Sequence, residues 1–251
     1  MMQHPTLDKL QQMKLPGMLR ALQEQESIPD IRTMPFEERR GLRVDRERTE
    51  RNNRRMQTRL RAAKLKQSTA LEDIDFKRAR GLDRSLIMKL AGCEWVAEHL
   101  NVLITGATGV GKSFLACALA HKACREGYSS YYVRLSRLFQ DLDMGRADGR
   151  YAKMMRHMAK TDVLVMDDWG VAVLSDQHRR DLLEILDDRY NLRAPVITSQ
   201  LPIAHWHEAV GDPTLADAIL DRVVHTAYKI NLSGSSMRTQ REKLTTDKLK
   251  P

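Results

Sequence analysis

The sequence predicts an α/β fold: a five-stranded parallel sheet preceded by a small all-helical N-terminal domain. Three observations carry this. The 251 residues are 42% hydrophobic and 30% charged, which suits a folded soluble chain with one sizeable domain and a smaller one. Up to residue 66 the chain is polar, rich in Arg and Glu, with apolar residues at helical spacing. From residue 100, short β-branched apolar runs alternate with helical stretches, as in a parallel sheet covered on both faces.

In chain order, Leu7 and Leu10, then Leu15, Met18, Leu19 and Leu22, mark two short amphipathic helices. Pro16 suits the first turn of the second. Residues 37–66 hold 12 basic and 5 acidic side chains, an excess of seven out of the chain's net +9. That stretch has no Pro and one Gly, so propensity makes it helical. Residues 1–66 are thus expected to form the helical domain. Residues 67–98 are expected to connect it, through a helix carrying Leu82, Leu86 and Leu90, to an ATPase domain at 99–251. The expected strands are Asn101–Thr105, Ser130–Leu135, Asp162–Asp167, Ala194–Ser199 and Ala227–Leu232.

Residues 106–113 read Gly-Ala-Thr-Gly-Val-Gly-Lys-Ser, the P-loop pattern of nucleotide-binding proteins, placed between a strand and a helical run. The segment Gly106, Ala107, Thr108, Gly109, Val110, Gly111, Lys112, Ser113 and Phe114 is therefore the expected ATP cradle. Its glycines allow positive φ, so backbone N–H groups can turn inward toward a polyanion. Lys112 is expected at the β- and γ-phosphates, and Ser113 is expected to offer its hydroxyl to Mg2+.

Val163-Leu164-Val165-Met166 leads into Asp167-Asp168. Carboxylates at the C-terminal end of a buried parallel strand stand where ligands bind. Asp167 is expected to hold the magnesium, directly or through water, and Asp168 to orient or deprotonate the attacking water. If the strand ending at Ser199-Gln200 lies between the other two, one of these residues reaches the γ-phosphate. The sequence does not choose between them.

The chain resembles the IstB-like ATPases of bacterial insertion sequences, AAA+ proteins close to the DnaC helicase loaders. The resemblance covers nearly the whole chain. It rests on Leu15-Pro16-Gly17-Met18, Phe36-Glu37-Glu38-Arg39, Arg61-Ala62-Ala63-Lys64-Leu65, Leu71-Glu72-Asp73-Ile74-Asp75, the P-loop, Asp167-Asp168-Trp169-Gly170, Ile197-Thr198-Ser199-Gln200-Leu201-Pro202, Asp212 through Arg222, and Gly234 through Arg238. It implies a transposition helper that assembles on DNA and works with a transposase. It also implies an AAA+ core with the P-loop strand beside the sensor strand, and no C-terminal helical lid. By the same resemblance Arg222 is an arginine offered to a neighbouring subunit's nucleotide, and Arg238 is a second nucleotide-facing arginine. Trp169 stands where the family commonly has Phe or Leu.

The basic segment favours an acidic partner. Arg51, Arg54, Arg55, Arg59 and Arg61 are the expected contacts to duplex DNA, through phosphates and not base edges. The plainer alternative is a solvated, salt-bridged helix. Three cysteines without paired spacing exclude a disulfide framework. Cys117 and Cys124, spaced for a helix, read as core. Trp95, Trp169 and Trp206 read as packing residues, and Met154, Met155 and Met158 as core or interface. His205 and His207 lack a third ligand for zinc. No run of about 18 apolar residues suggests a membrane span, and the polar N-terminus lacks a signal-peptide core, so the cytoplasm is expected. The expected function is an ATPase that oligomerises on duplex DNA and promotes transposition. The rivals are a DnaC-type helicase loader, a small-molecule kinase and a DNA-binding scaffold that binds ATP without turnover.

Overall fold

The computed structural model describes residues 5–237. It divides into two compact units between residues 58 and 59.

The first unit is helical, as expected. Helices α1 (Pro5–Gln12), α2 (Pro16–Glu26) and α3 (Phe36–Ala63) follow one another, and Pro16 opens α2. Leu15, which precedes α2, provides no side-chain cap. Glu47 of α3 supplies one instead: its Oε2 accepts from the backbone N–H groups of Gly17 at 2.8 Å and Met18 at 3.2 Å. Carboxylates are favoured at helix N-termini. Gly17 permits this approach, since a Cβ there would lie 2.5 Å from Glu47 Cα. Burial pushes the Glu47 carboxyl up, but hydrogen bonds from Arg51 and from the Met18 and Gly17 amides outweigh it and hold it below the usual range.

In the second unit the strands are β1 (Asn101–Gly106), β2 (Ser130–Arg134), β3 (Val163–Trp169), β4 (Ala194–Ser199) and β5 (Ala227–Leu232). All pairings are parallel, in the order β2-β3-β4-β1-β5. The three central strands are buried almost throughout, whereas β2 and β5 at the edges carry half-exposed residues. Period-2 alternation divides the core. Val102, Ile104, Val163, Val165 and Val196 face one layer, and Leu103, Leu164, Met166 and Ile197 face the other.

The first layer contains α4 (Arg84–Ala91), α5 (Glu94–Ala97) and α6 (Lys112–Arg125). Residues of the expected connector, among them Ile74, Ile87, Leu90 and Trp95, are buried in it. The second layer contains α7 (Leu135–Ala147), α8 (Tyr151–Lys160), α9 (Asp176–Asp187), α10 (Trp206–Val210) and α11 (Pro213–Val224). The three tryptophans are packing residues: Trp169 stacks on Trp206 at 5.0 Å between centroids, and all three are buried. Cys117, Cys124, Met155 and Met158 are buried too. Among the described residues no helix is long and apolar enough to cross a membrane. The lid expectation concerns the chain beyond residue 237, outside the described residues.

Candidate active site

The C-terminal ends of β1, β3 and β4 meet at one edge of the sheet, with β4 between the other two. The P-loop leaves β1 at Gly106, whose φ is 144°. A Cβ there would lie 2.1 Å from the Leu232 carbonyl oxygen, so β1 and β5 can end side by side only with glycine. Gly111, at φ 102°, turns the chain into the 14-residue α6. The N–H groups of that first helical turn suit phosphate oxygens. Lys112 is nearly buried, and its Nζ donates to the carbonyls of Gly106 and Ala107, both at 2.7 Å. Its ammonium is thus held over the loop that the phosphates would enter.

Asp167 is fully buried. Ser113 Oγ donates to its Oδ1 at 2.8 Å and lies 3.0 Å from Oδ2. The Thr198 hydroxyl also donates to Oδ1, the Tyr132 hydroxyl donates to Oδ2, and Lys66 Nζ lies 3.2 Å from Oδ2. Burial alone would raise the Asp167 pKa. The hydrogen bonds from Thr198, Tyr132 and Ser113 and the charge of Lys66 outweigh it, so the carboxyl is held below its usual range. An ionised carboxylate beside a hydroxyl, both hard oxygen donors, fits a magnesium ion. Burial and the same carboxylate push the Tyr132 hydroxyl strongly upward, so it stays a proton donor.

Asp168 behaves differently. Its φ is 64°, and the ladder between β3 and β4 is irregular between Met166 and Trp169. Asp167 and Asp168 together oppose Thr198, which is a β-bulge, a device that re-aims side chains beside functional sites. The Thr198 hydroxyl accepts from the Asp168 N–H at 3.3 Å. The Asp168 carboxylate is partly exposed and pairs with Arg134 Nε at 2.8 Å.

Of the two sensor candidates, Ser199 is fully buried; its hydroxyl donates to the Trp169 carbonyl and accepts from the Leu201 N–H. Gln200 Oε1 accepts from Thr108 of the P-loop at 2.7 Å. Thr198 was missed in the sequence, although alternation along β4 puts it on the face of Val196, toward Asp167. Lys66, Tyr132 and Arg134 were missed because each comes from a segment without a nucleotide motif. Arg80 was missed as well. It is buried, its Nη1 donates to the Val110 carbonyl at 3.4 Å, and burial lowers its pKa.

Arg222 lies in the last turn of α11. Its Nε pairs with Asp187 at 2.7 Å and its Nη1 donates to the Ala218 carbonyl. Neither partner belongs to its own P-loop, and the ion pair is with Asp187, not with the sequence neighbours Asp217 or Asp221. Arg238 lies outside the described residues.

The five arginines singled out for DNA differ in surroundings. Arg51 pairs with Glu47 at 2.7 Å, and Arg54 lies 3.9 Å from Glu50. Arg55 and Arg61 are exposed, with no carboxylate in ion-pair range among the described residues. Arg59 donates through Nε to the Cys124 carbonyl at 2.9 Å, so part of its guanidinium is committed to the end of α6.

A family of IstB-like ATP binding proteins matches residues 8–245. The chain belongs to that family. An insertion sequence ATP-binding protein of Sinorhizobium fredii, y4pL, is 51% identical over 97% of this chain and 100% of its own length. The ATP-binding protein of insertion sequence IS1162 from Pseudomonas fluorescens is 47% identical over 80% of this chain and 88% of its own. Among solved structures, the crystal structure of DnaI superposes with a TM-score of 0.57 at 23% identity, covering 70% of this chain and 93% of that one. That likeness is one of fold, and the fold of this IstB-like chain is the AAA+ fold.

Proposed function

We propose that this IstB-like protein hydrolyses ATP as a helper of DNA transposition, oligomerising on duplex DNA and acting with a transposase. The observation that carries the hydrolytic part is the pair of acids at the bulge. Asp167 is buried, ionised and bonded to Ser113, while its neighbour is turned aside and left partly exposed. Two adjacent carboxylates in such different surroundings suit two different tasks.

In this reading the P-loop amides and Lys112 hold the phosphates, and Ser113 and Asp167 would hold a magnesium ion, which would supply neutralisation of phosphate charge when bound. Asp168 orients the attacking water or accepts its proton. Thr198 aligns both acids, and of the two candidates for sensing the γ-phosphate, Ser199 and Gln200, the reading favours Gln200, whose Oε1 accepts from Thr108 of the P-loop. Arg222 serves the nucleotide of an adjacent subunit, and Arg51, Arg54, Arg55, Arg59 and Arg61 face DNA phosphates. The transposition reading is supported by the insertion-sequence names of the relatives.

The test is phosphate release with and without duplex DNA. Wild type is expected to be stimulated by DNA. Lys112→Ala is expected to lose nucleotide binding. Asp168→Asn is expected to bind but turn over at least about 10²-fold more slowly. Wild-type turnover by Asp168→Asn would remove that residue from the mechanism. Mixing Arg222→Ala with Lys112→Ala should restore part of the activity where the two co-assemble, because a Lys112→Ala subunit still carries Arg222. A mixture that co-assembles and stays inactive rules out Arg222 as a group acting across subunits. A replicative helicase, rather than a transposase, retained in a pull-down would favour the helicase-loader reading.

A further inference from the structure

Lys66 puts its ammonium 3.2 Å from Asp167 Oδ2, although it belongs to no nucleotide motif. It stands on the turn that leaves α3, entered through Lys64 at φ 49°. The turn is fastened to α6, the helix that begins at the P-loop. The Thr69 hydroxyl donates to the Phe114 carbonyl of that helix at 3.4 Å.

The carboxylate of Asp167 is saturated. Ser113 and Thr198 reach Oδ1, and Ser113, Tyr132 and Lys66 reach Oδ2. A carboxylate offers about four lone-pair sites, so a cation binding to it must take a place already filled. Ser113 is itself a candidate ligand, and Thr198 and Tyr132 are neutral. Lys66 alone among the four carries a charge that repels a metal ion. Its side chain is about a third exposed, and its flexible four-carbon stem can carry the ammonium into water.

We propose that Lys66 is an exchangeable counter-ion of Asp167, displaced when a magnesium–nucleotide complex binds. Loading of the site is thereby registered at the turn behind α3. This rests on the reading of Asp167 as a magnesium ligand.

Two measurements on the full chain test it. Binding of a fluorescent ATP analogue is titrated with magnesium chloride. Lys66→Met should reach half-maximal binding at about one-fifth of the wild-type magnesium concentration, the upper range for a partly exposed ion pair, while Lys66→Arg should stay near wild type. Separately, acetic anhydride labelling of the wild-type chain is read by mass spectrometry. Acetylation of Lys66 should rise several-fold with ATP plus magnesium and not with magnesium alone. An unchanged magnesium requirement in a Lys66→Met protein that melts like wild type overturns the exchange, as does Lys66 labelling that ignores nucleotide. If Asp167→Asn also leaves the requirement unchanged, the metal reading fails and the exchange with it. If Asp167→Asn raises the requirement while Lys66→Met does not lower it, only the exchange fails.

Discussion

Helices α3 and α6 are built on opposite terms. In α6 nine of 14 residues are buried, mostly Ala, Leu and Cys. In the 28 residues of α3 only Glu47 and Ala63 are buried. Helix α6 is positioned by shape, through small side chains that let it lie close to the sheet. Helix α3 has few apolar contacts to position it, so individual polar contacts do so: Glu47 under the start of α2, Gln25 accepting from Arg43 at 2.7 Å, and Arg59 on Cys124. The difference teaches where each helix is vulnerable, α6 to changes of volume and α3 to changes of charge.

The comparison breaks first, and most severely, in α6. Ala120 is fully buried against the sheet. Ala120→Leu should cost about 3 kcal/mol, the upper range for overpacking, read as a lowered denaturant midpoint. Wild-type stability in that variant would mean that α6 is not positioned by shape.

A smaller loss is expected at Glu47. Glu47→Ala removes the cap on α2 and should cost about 1–2 kcal/mol at neutral pH. Its sign with pH follows from the lowered carboxyl. The contribution is fully present above the ordinary glutamate value of about 4.3 and lost as pH falls through the lower folded value. Wild type and variant should therefore converge in acid, and a pH-independent gap would assign the cost to lost packing.

Smaller still is Arg59→Ala, about 1 kcal/mol for one hydrogen bond, measured by the same denaturant titration. The smallest stability effect belongs to the double variant Arg54→Glu with Arg55→Glu, within about 0.5 kcal/mol. Its DNA affinity should nonetheless fall equally on all duplex sequences, and the plot of log affinity against log salt should flatten by about 0.9 for each phosphate that is no longer neutralised. If Arg59→Ala weakened DNA binding without touching stability, the division between its structural role and the role of Arg55 would disappear.

These contrasts also explain what the sequence revealed. The five strands were legible because burial on both faces of a parallel sheet demands continuous apolar runs, and Val163–Met166 and Pro195–Ile197 supply them. The P-loop was legible because positive φ next to a close backbone approach demands glycine at fixed positions. Arg134, Tyr132 and Lys66 were not legible, since each gains its meaning from a carboxylate distant in sequence. The cap by Glu47 was hidden for the same reason: a carboxylate in a stretch of mixed charge looks solvated until Gly17 brings another helix against it. Thr198 is legible from two-residue alternation, which puts it on the face of Val196, whereas the adjacent Ser199 falls on the face of Ile197.

The irregularity at the end of β3 works as a phase shift. An unbroken strand would send residue 168 to the side of Met166 and residue 169 to the other. With one residue inserted, Met166 and Trp169 share the same core layer, and Trp169 lies on Trp206. The bulge at the acidic step is therefore written into the packing of a tryptophan. A regular ladder that kept both acids would turn the indole toward the α6 layer and away from Trp206, whereas one residue fewer would leave it on the side of Met166. With two acids present, the bulge is thus held by the hydrophobic core, independently of any demand from the nucleotide.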